Sequence, residues 1–271
     1  MNIVPVATTP AALCLSMANW VELNVGALVF SLESLLIKPG YELLKTISDI
    51  RLYLGWSGSF ILSAQHIKLT RDNTVTLISP YDGSKLLLTE KNLVDILNLL
   101  RPDVLILPKK CELLRIELDA SILTYIHVND VSSDLNRTTQ RLYFDVDDKD
   151  EFAQLCDYME QTKPHPCYIT GKCAVEVATH IKTIKNNPHL IESDKPANEA
   201  MQGRVYTQSG VIDILDNQYE LSFEPIDPNC TCPTCAHQLT KAYLHHLLVH
   251  TPLLCQRFLI QHNVYYVKTY F

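Results

Sequence analysis

Glycine is scarce. Eight of 271 residues are glycine, about 3% against an average near 7%, so few places let the backbone come close to a flat ligand. Long apolar runs are missing too. The nearest candidate, VGALVFSLESLLI, is interrupted by Glu33, and no run reaches about 18 residues, so no membrane span is read. A basic excess is absent: 23 Lys and Arg stand against 30 Asp and Glu, a net charge of −7. Binding nucleic acid by neutralising phosphates usually calls for a basic surface, so that expectation is lowered, although a local basic groove is not excluded. The first residues, MNIVPVATTP, lack the basic start of a secretory signal. Nine cysteines form an odd and mostly scattered set. That favours reduced thiols plus a metal over a disulfide framework, and a cytoplasmic protein. There is no internal repeat or low-complexity stretch.

The remainder is ordinary for a soluble globular chain, with 47% hydrophobic and 20% charged residues. Eight short apolar runs recur: 2–7, 27–31, 60–63, 103–107, 122–128, 141–146, 167–170 and 189–193. Most are continuous rather than alternating, as in strands buried on both faces. Helical spacing appears between them. After Thr89, a suitable N-cap, Leu93, Ile96, Leu97 and Leu100 share one helix face, and Val177, Ala178, Ile181 and Ile184 do the same between 172 and 187. Pro102 and Asn186-Asn187-Pro188 stop these two helices. The pattern predicts an α/β fold, a (β/α)8 TIM-like barrel, with an open doubly wound sheet as the alternative. Connections 108–121 and 129–140 are near the minimum for a parallel crossover, so the barrel is expected to be contracted there. The segment 72–84 reads as a β-hairpin insertion because of Asp82-Gly83, and 203–224 reads as a second hairpin region.

Cys230, Cys232 and Cys235 lie within six residues. Three thiolates in one tight turn suit zinc, which takes four ligands at about 2.0–2.3 Å. Pro228 and Pro233 stiffen the loop. The fourth ligand is open among His237, His245, His246, His250, Cys255 and His262. Leu239, Tyr243, Leu247 and Leu254 suggest an amphipathic helix restarted at Thr251-Pro252, and a helical hairpin would bring His262 back to the loop. His245 and His246 straddle two helix faces, so one at most points inward. Three thiolates plus a histidine fill a tetrahedron and leave no open position, the hallmark of a structural site.

The stretch from Phe223 to Asn263 resembles the zinc subdomain of the tRNA-guanine (queuine) transglycosylases. Asp227-Pro228 with Cys230, Cys232 and Cys235, then Lys241-Ala242-Tyr243-Leu244-His245-His246-Leu247, then His262-Asn263, are similar to that family's D-P-x-C-x-C-x-x-C, R-A-Y-x-H-H-L and H-N elements. Lys241 stands where the family has arginine, and one extra residue separates Cys235 from Ala242. Upstream, SPYDGSKLLLTEKNLVDILNLLRPDVLI (79–106), LLIKPGYELL (35–44) and QGRVYTQSGVIDI (202–214) resemble further family segments in order. The resemblance implies a (β/α)8 barrel, Zn2+ held by Cys230, Cys232, Cys235 and His262, and exchange of a tRNA guanine for a 7-deazaguanine through a covalent aspartate.

Key positions depart from that pattern. Ala64 aligns with an essential aspartate. Lys109-Lys110-Cys111 align with the family's D-E-C, which reverses the charge of the group that reads guanine. Glu192 aligns with the nucleophile and adds a methylene, and a misplacement near 1 Å can cost about 100-fold. The glycine-rich turns have no counterpart after the strands at 122–128 and 141–146, and Asn198 replaces an arginine. The expected organisation is a barrel over 1–202 and a hairpin plus zinc-binding helical subdomain over 203–271, packed as one unit.

Three readings of function follow. One is a catalytically degenerate homologue acting as a non-catalytic subunit, as a homodimer or beside a transglycosylase chain. Another is an enzyme with altered chemistry at Glu192 and Lys109 or Lys110. The third is a tRNA-binding module using Lys195, Arg204, Lys241 and Arg257. Asp147, Asp148 and Asp150 read as helix-start charges rather than metal ligands.

Overall fold

The computed structural model describes residues 2–109, 118–131, 141–160, 166–174, 176–177 and 189–270. Its strands, among the described residues, are β1 Asn2–Val4, β2 Ala27–Ser31, β3 Ser59–Ser63, β4 Thr74–Ile78, β5 Lys85–Thr89, β6 Val104–Ile106, β7 Leu123–His127, β8 Leu142–Asp145, β9 Tyr168–Thr170, β10 Leu190–Glu192, β11 Arg204–Thr207 and β12 Gly210–Asp213. The helices are α1 Met17–Glu22, α2 Leu32–Leu35, α3 Tyr41–Leu44, α4 Ile50–Leu54, α5 Glu90–Leu100, α6 Lys149–Met159, α7 Lys195–Met201, α8 Pro233–Ala236, α9 Lys241–His250 and α10 Pro252–Tyr270.

All eight apolar runs form strands, and these pair in parallel in the order β1-β10-β9-β8-β7-β6-β3-β2. A parallel bridge between Val6 and Val29 joins the two ends, with Val29 N–H donating to Pro5 O at 2.9 Å and Ala7 N–H to Val29 O at 2.7 Å. The sheet is therefore a barrel, and the open-sheet alternative falls away. Continuous apolar runs arise because both strand faces are covered. Even-numbered Phe60 and Leu62 of β3 join the outer helices, while Ile61 packs inside with Val4, Val29, Val104, Ile106, Tyr125, Tyr143 and Tyr168.

The α5 helix illustrates how the local sequence builds the outer layer. Thr89 Oγ1 accepts from Asn92 N–H at 3.2 Å while Asn92 Oδ1 accepts from Thr89 N–H at 3.0 Å, a capping box. Leu93, Ile96, Leu97 and Leu100 are buried on one face, each contributing roughly 1.5–3 kcal/mol. The helix read over 172–187 lies outside the described residues except for 172–174 and 176–177, and most of the two short connections does too.

The first hairpin differs in its second arm. β4 pairs antiparallel with β5, so Ser79–Ser84 is the loop and the arm begins at Lys85, one residue past the expected segment. Leu88 faces inward opposite Val75 and is buried with it, which continues the hairpin beyond Asp82-Gly83. The second hairpin, β11–β12, turns through Gln208-Ser209. Gly203 enters it at φ +85°, a left-handed conformation that favours glycine.

The last helix returns to the start of the chain. Lys268 Nζ donates to the carbonyls of Leu23, at 3.1 Å, and Asn24. Gln261 Nε2 donates to Glu22 Oε2 at 3.3 Å. A cavity of about 370 Å³ lies along this return, lined by Trp20, Ala27, Val264 and Val267 among others. No helix among the described residues is long and apolar enough to cross a membrane.

Candidate functional site: metal centre and barrel mouth

Two features need separate accounts. The first is the cysteine loop. Pro228 precedes it, and Pro233, inside it, starts the short helix α8 with Cys232 at its N-cap. The α10 helix brings His262 over the loop, so that Nδ1 lies 3.7 Å from Cys230 Sγ, 3.4 Å from Cys232 Sγ and 3.4 Å from Cys235 Sγ. All four donor atoms lie within 4.8 Å of one another, and all four residues are buried. A tetrahedral ion with bonds of about 2.3 Å to sulfur and about 2.0 Å to nitrogen has edges of roughly 3.5–3.8 Å, which these spacings match. The other ring nitrogen settles the tautomer. His262 Nε2 donates to Tyr206 O at 2.7 Å, which leaves the Nδ1 lone pair for a metal. These four residues are therefore placed to bind a metal and close a four-coordinate shell.

The remaining candidates for the fourth ligand are occupied elsewhere or too far away. His245 Nδ1 sits 2.8 Å from Ile214 O, and the Cys255 thiol donates to Leu244 O at 3.2 Å. Burial pushes the Cys255 and Cys167 thiols up to about 12, so neither is a thiolate near neutrality. Asn263, next to the ligand, is fully buried. Its amide donates to Pro196 O at 3.0 Å and Arg204 O at 2.9 Å and accepts from Tyr206 N–H at 3.0 Å. One side chain thus joins the metal helix, α7 and β11.

The second feature is the C-terminal mouth of the barrel. Two residues beyond the interior side chains Ile61, Tyr125, Tyr143, Tyr168 and Leu190 come Ser63, His127, Asp145, Thr170 and Glu192, which strand alternation turns the same way. A polar layer therefore caps an apolar barrel. Glu192 is half-buried. Tyr168 OH donates to its Oε2 at 2.6 Å, and Gln65 Nε2 lies 3.4 Å from its Oε1 and 3.3 Å from Thr170 Oγ1. Burial pushes the Glu192 carboxyl up from 4.5 to about 7; the Tyr168 bond opposes this, and the nearby Asp194 and Asp145 charges add to it.

Beside it stands an ionic cluster centred on the buried Glu151 and His127. Glu151 on α6 lies 3.0 Å from Lys109 Nζ and 2.8 Å from His127 Nε2 through Oε1, and Oε2 accepts from Asp145 N–H at 2.7 Å. Asn129 N–H points at His127 Nδ1 at 3.3 Å, which leaves Nε2 to donate. Asp148 caps α6 by accepting from Asp150 N–H and Glu151 N–H, which fixes where Glu151 enters. Glu151→Ala strips the acceptor from three donors at once, so unfolding free energy should fall by about 2–4 kcal/mol. Lys109→Met should cost less, because the lysine is 42% exposed. Urea titration of the two variants measures both, and equal or negligible losses would count against the cluster.

Of the residues named from sequence, Glu192 and Lys109 lie at this mouth. Ala64 follows β3, is buried, and packs with the outer core. Its neighbour Gln65 is the residue that reaches Glu192. Lys110 and Cys111 lie outside the described residues. Asn198 and Arg257 are exposed. Lys195 pairs with Glu176 and Arg204 with Glu199, while Lys241 lies 3.8 Å from Glu224 and over the Tyr219 ring. Sequence reasoning missed Gln65, His127, Glu151, Tyr168 and Thr170. The available signal was the i, i+2 pairing of tyrosine with a polar residue at the ends of β7, β8 and β9.

With a closed parallel barrel and a three-cysteine, one-histidine loop in place, comparison with known families becomes decisive. The family model described as queuine tRNA-ribosyltransferase matches residues 2–141 and 146–271. The chain belongs to the queuine tRNA-ribosyltransferase family. A protein named queuine tRNA-ribosyltransferase from Acinetobacter baumannii is 23% identical, over 86% of this chain and 74% of its own. Relatives with the same name from Francisella tularensis subsp. novicida and Caldanaerobacter subterraneus subsp. tengcongensis are 23% and 22% identical, covering 96% and 97% of this chain and 83% and 82% of theirs. The matched residues take in both the barrel strands and the three-cysteine, one-histidine loop.

Raising Glu192 has a stability consequence with a definite sign. Its folded pKa of about 7 exceeds the ordinary 4.5, so the folded state binds the proton more tightly. Its contribution is complete below about pH 4.5 and is lost as pH rises through about 7. Glu192→Gln should flatten the wild-type decline between pH 5 and 8 by roughly 1–3 kcal/mol. Urea midpoints across that range check it, and parallel curves for the two proteins would contradict the buried-acid account.

Proposed function

We propose that this chain is a zinc-holding, non-catalytic member of the family that acts with a transglycosylase chain, or as a homodimer, in tRNA modification in the cytoplasm. The observation that carries this reading is the state of Glu192. A carboxylate nucleophile must be ionised and free to reach its target. Here the aligned carboxyl is half-buried, bonded to Tyr168, approached by Gln65 and pushed up to about 7. Lys109, aligned with a base-reading acid, is held by Glu151. The metal loop, in contrast, keeps a complete donor set.

Zinc is the ion of choice, since three thiolates and an imidazole in a closed tetrahedron suit it. Its role is to hold residues 203–271 to the barrel as one unit. Around the start of α9, Leu221 and Phe223 are each 76% exposed, with Leu215 and Tyr243 nearly half exposed. Such residues suit a covered surface in an assembly. Lys195 and Lys241 already face glutamates, which weakens the separate reading of a tRNA-binding module. An enzyme using Glu192 as an acid is the second reading, because a carboxyl near 7 is tuned for proton transfer at neutral pH.

The test is co-expression with a catalytic transglycosylase from the same organism. A stable complex whose base exchange depends on this chain supports the proposal. Monomeric behaviour without any complex, or exchange by this chain alone, rejects it.

A further inference from the structure

Five histidines follow the cysteine loop, and His237, at the C-cap of α8, stands apart from the other four. His262 belongs to the metal loop, and His245 turns inward to Ile214 O. His246 and His250 are left, one turn apart on the outer face of α9, both exposed, with ring centroids 4.4 Å apart. Positions i and i+4 place their Cβ atoms about 5–6 Å apart, and imidazole is a preferred ligand of late transition metals. The same spacing of two histidines on a helix is a recurrent zinc-binding device.

We propose that His246 and His250 form a second metal site, a bidentate chelate for a divalent late transition ion such as Ni2+, Cu2+ or Zn2+. The position favours a cation. His250 lies in the last turn of α9, where unpaired carbonyls give the helix its negative end. Within α9 the formal cation is Lys241, five positions before His246 and beside Glu224, so no lysine or arginine of that helix crowds the pair. Among the described residues no third histidine, cysteine or carboxylate joins the two within metal-binding reach. The remaining positions therefore go to water or to an external donor, and the site is open where the cysteine loop is closed.

Ligation by both rings makes the second bond intramolecular, so losing either ring should weaken binding on the order of 10²-fold. The experiment uses the isolated, untagged chain with its cysteine site loaded with zinc, titrated with Ni2+ by calorimetry. Ni2+ is chosen because it does not oxidise thiols. The expected result is one Ni2+ bound beyond the resident zinc, lost in His246→Asn and in His250→Asn and retained in His237→Asn. Both rings are exposed, so neither substitution disturbs the core. No additional Ni2+, or binding that survives either substitution, would overturn the site. Zinc content before and after titration separates new binding from displacement at the cysteines.

Discussion

Cys232→Ser should lower the melting temperature of the whole chain by more than about 10 °C, and a strong chelator should do the same to the wild type. Cys232 has no exposure, and its Sγ faces both His262 Nδ1 and the N–H of Cys235. Removing one thiolate leaves a tightly gathered loop without the ion that offsets the entropy of gathering it. Structural zinc contributes apparent free energies of about 10–16 kcal/mol in small peptides. Even a third of that corresponds to roughly 7–21 °C at the 2–4 °C per kcal/mol of a chain this size. The damage should extend past the loop, because Asn263 links the ligand helix to Pro196 and Arg204. Calorimetry with and without chelator measures the shift, and hydrogen exchange at 203–270 locates it. An unchanged melting temperature after complete metal removal would reject a structural ion.

The isolated chain should show base exchange at least about 10⁴-fold below a catalytic relative. Two independent losses combine. A carboxyl displaced by near 1 Å forfeits about 10²-fold, and an absent proton-transfer group forfeits about 10²–10⁴-fold. Ala64 supplies no such group, and Gln65, which stands at the mouth, has an amide instead. Glu192→Asp should not restore activity, since Tyr168 and the Lys109–Glu151 pair remain. Incorporation of labelled guanine into tRNA measures the rate, and denaturing gels reveal any covalent adduct. A stable adduct that disappears in Glu192→Gln would make Glu192 a nucleophile and reject the non-catalytic reading.

The barrel was legible because its strands are buried on both sides. A continuous apolar run needs no partner to be recognised, and Ala27–Ser31 matches its run residue for residue. Elements that lean on contacts were harder. The second arm of the first hairpin begins at Lys85, since burial of Leu88 rather than the turn dipeptide sets its course. Spacing alone left six candidates for the fourth metal ligand, because a helix restart at Thr251 moves every later residue in space. The mouth was least legible. Glu151 reaches it from a helix, 42 positions after Lys109 and 24 after His127, and no local pattern joins residues at such separations. Apolar cores repeat along a chain; polar networks do not.

The return of α10 to the first helix bears on how the protein is made. Lys268 and Leu23 are 245 positions apart. At about 5–20 residues per second, roughly 10–50 s of synthesis separate them. Throughout that interval the carbonyl end of α1 and the wall around Trp20 wait uncovered at the ribosome. A nascent chain that stalls before its last helix emerges should therefore be a substrate for chaperones.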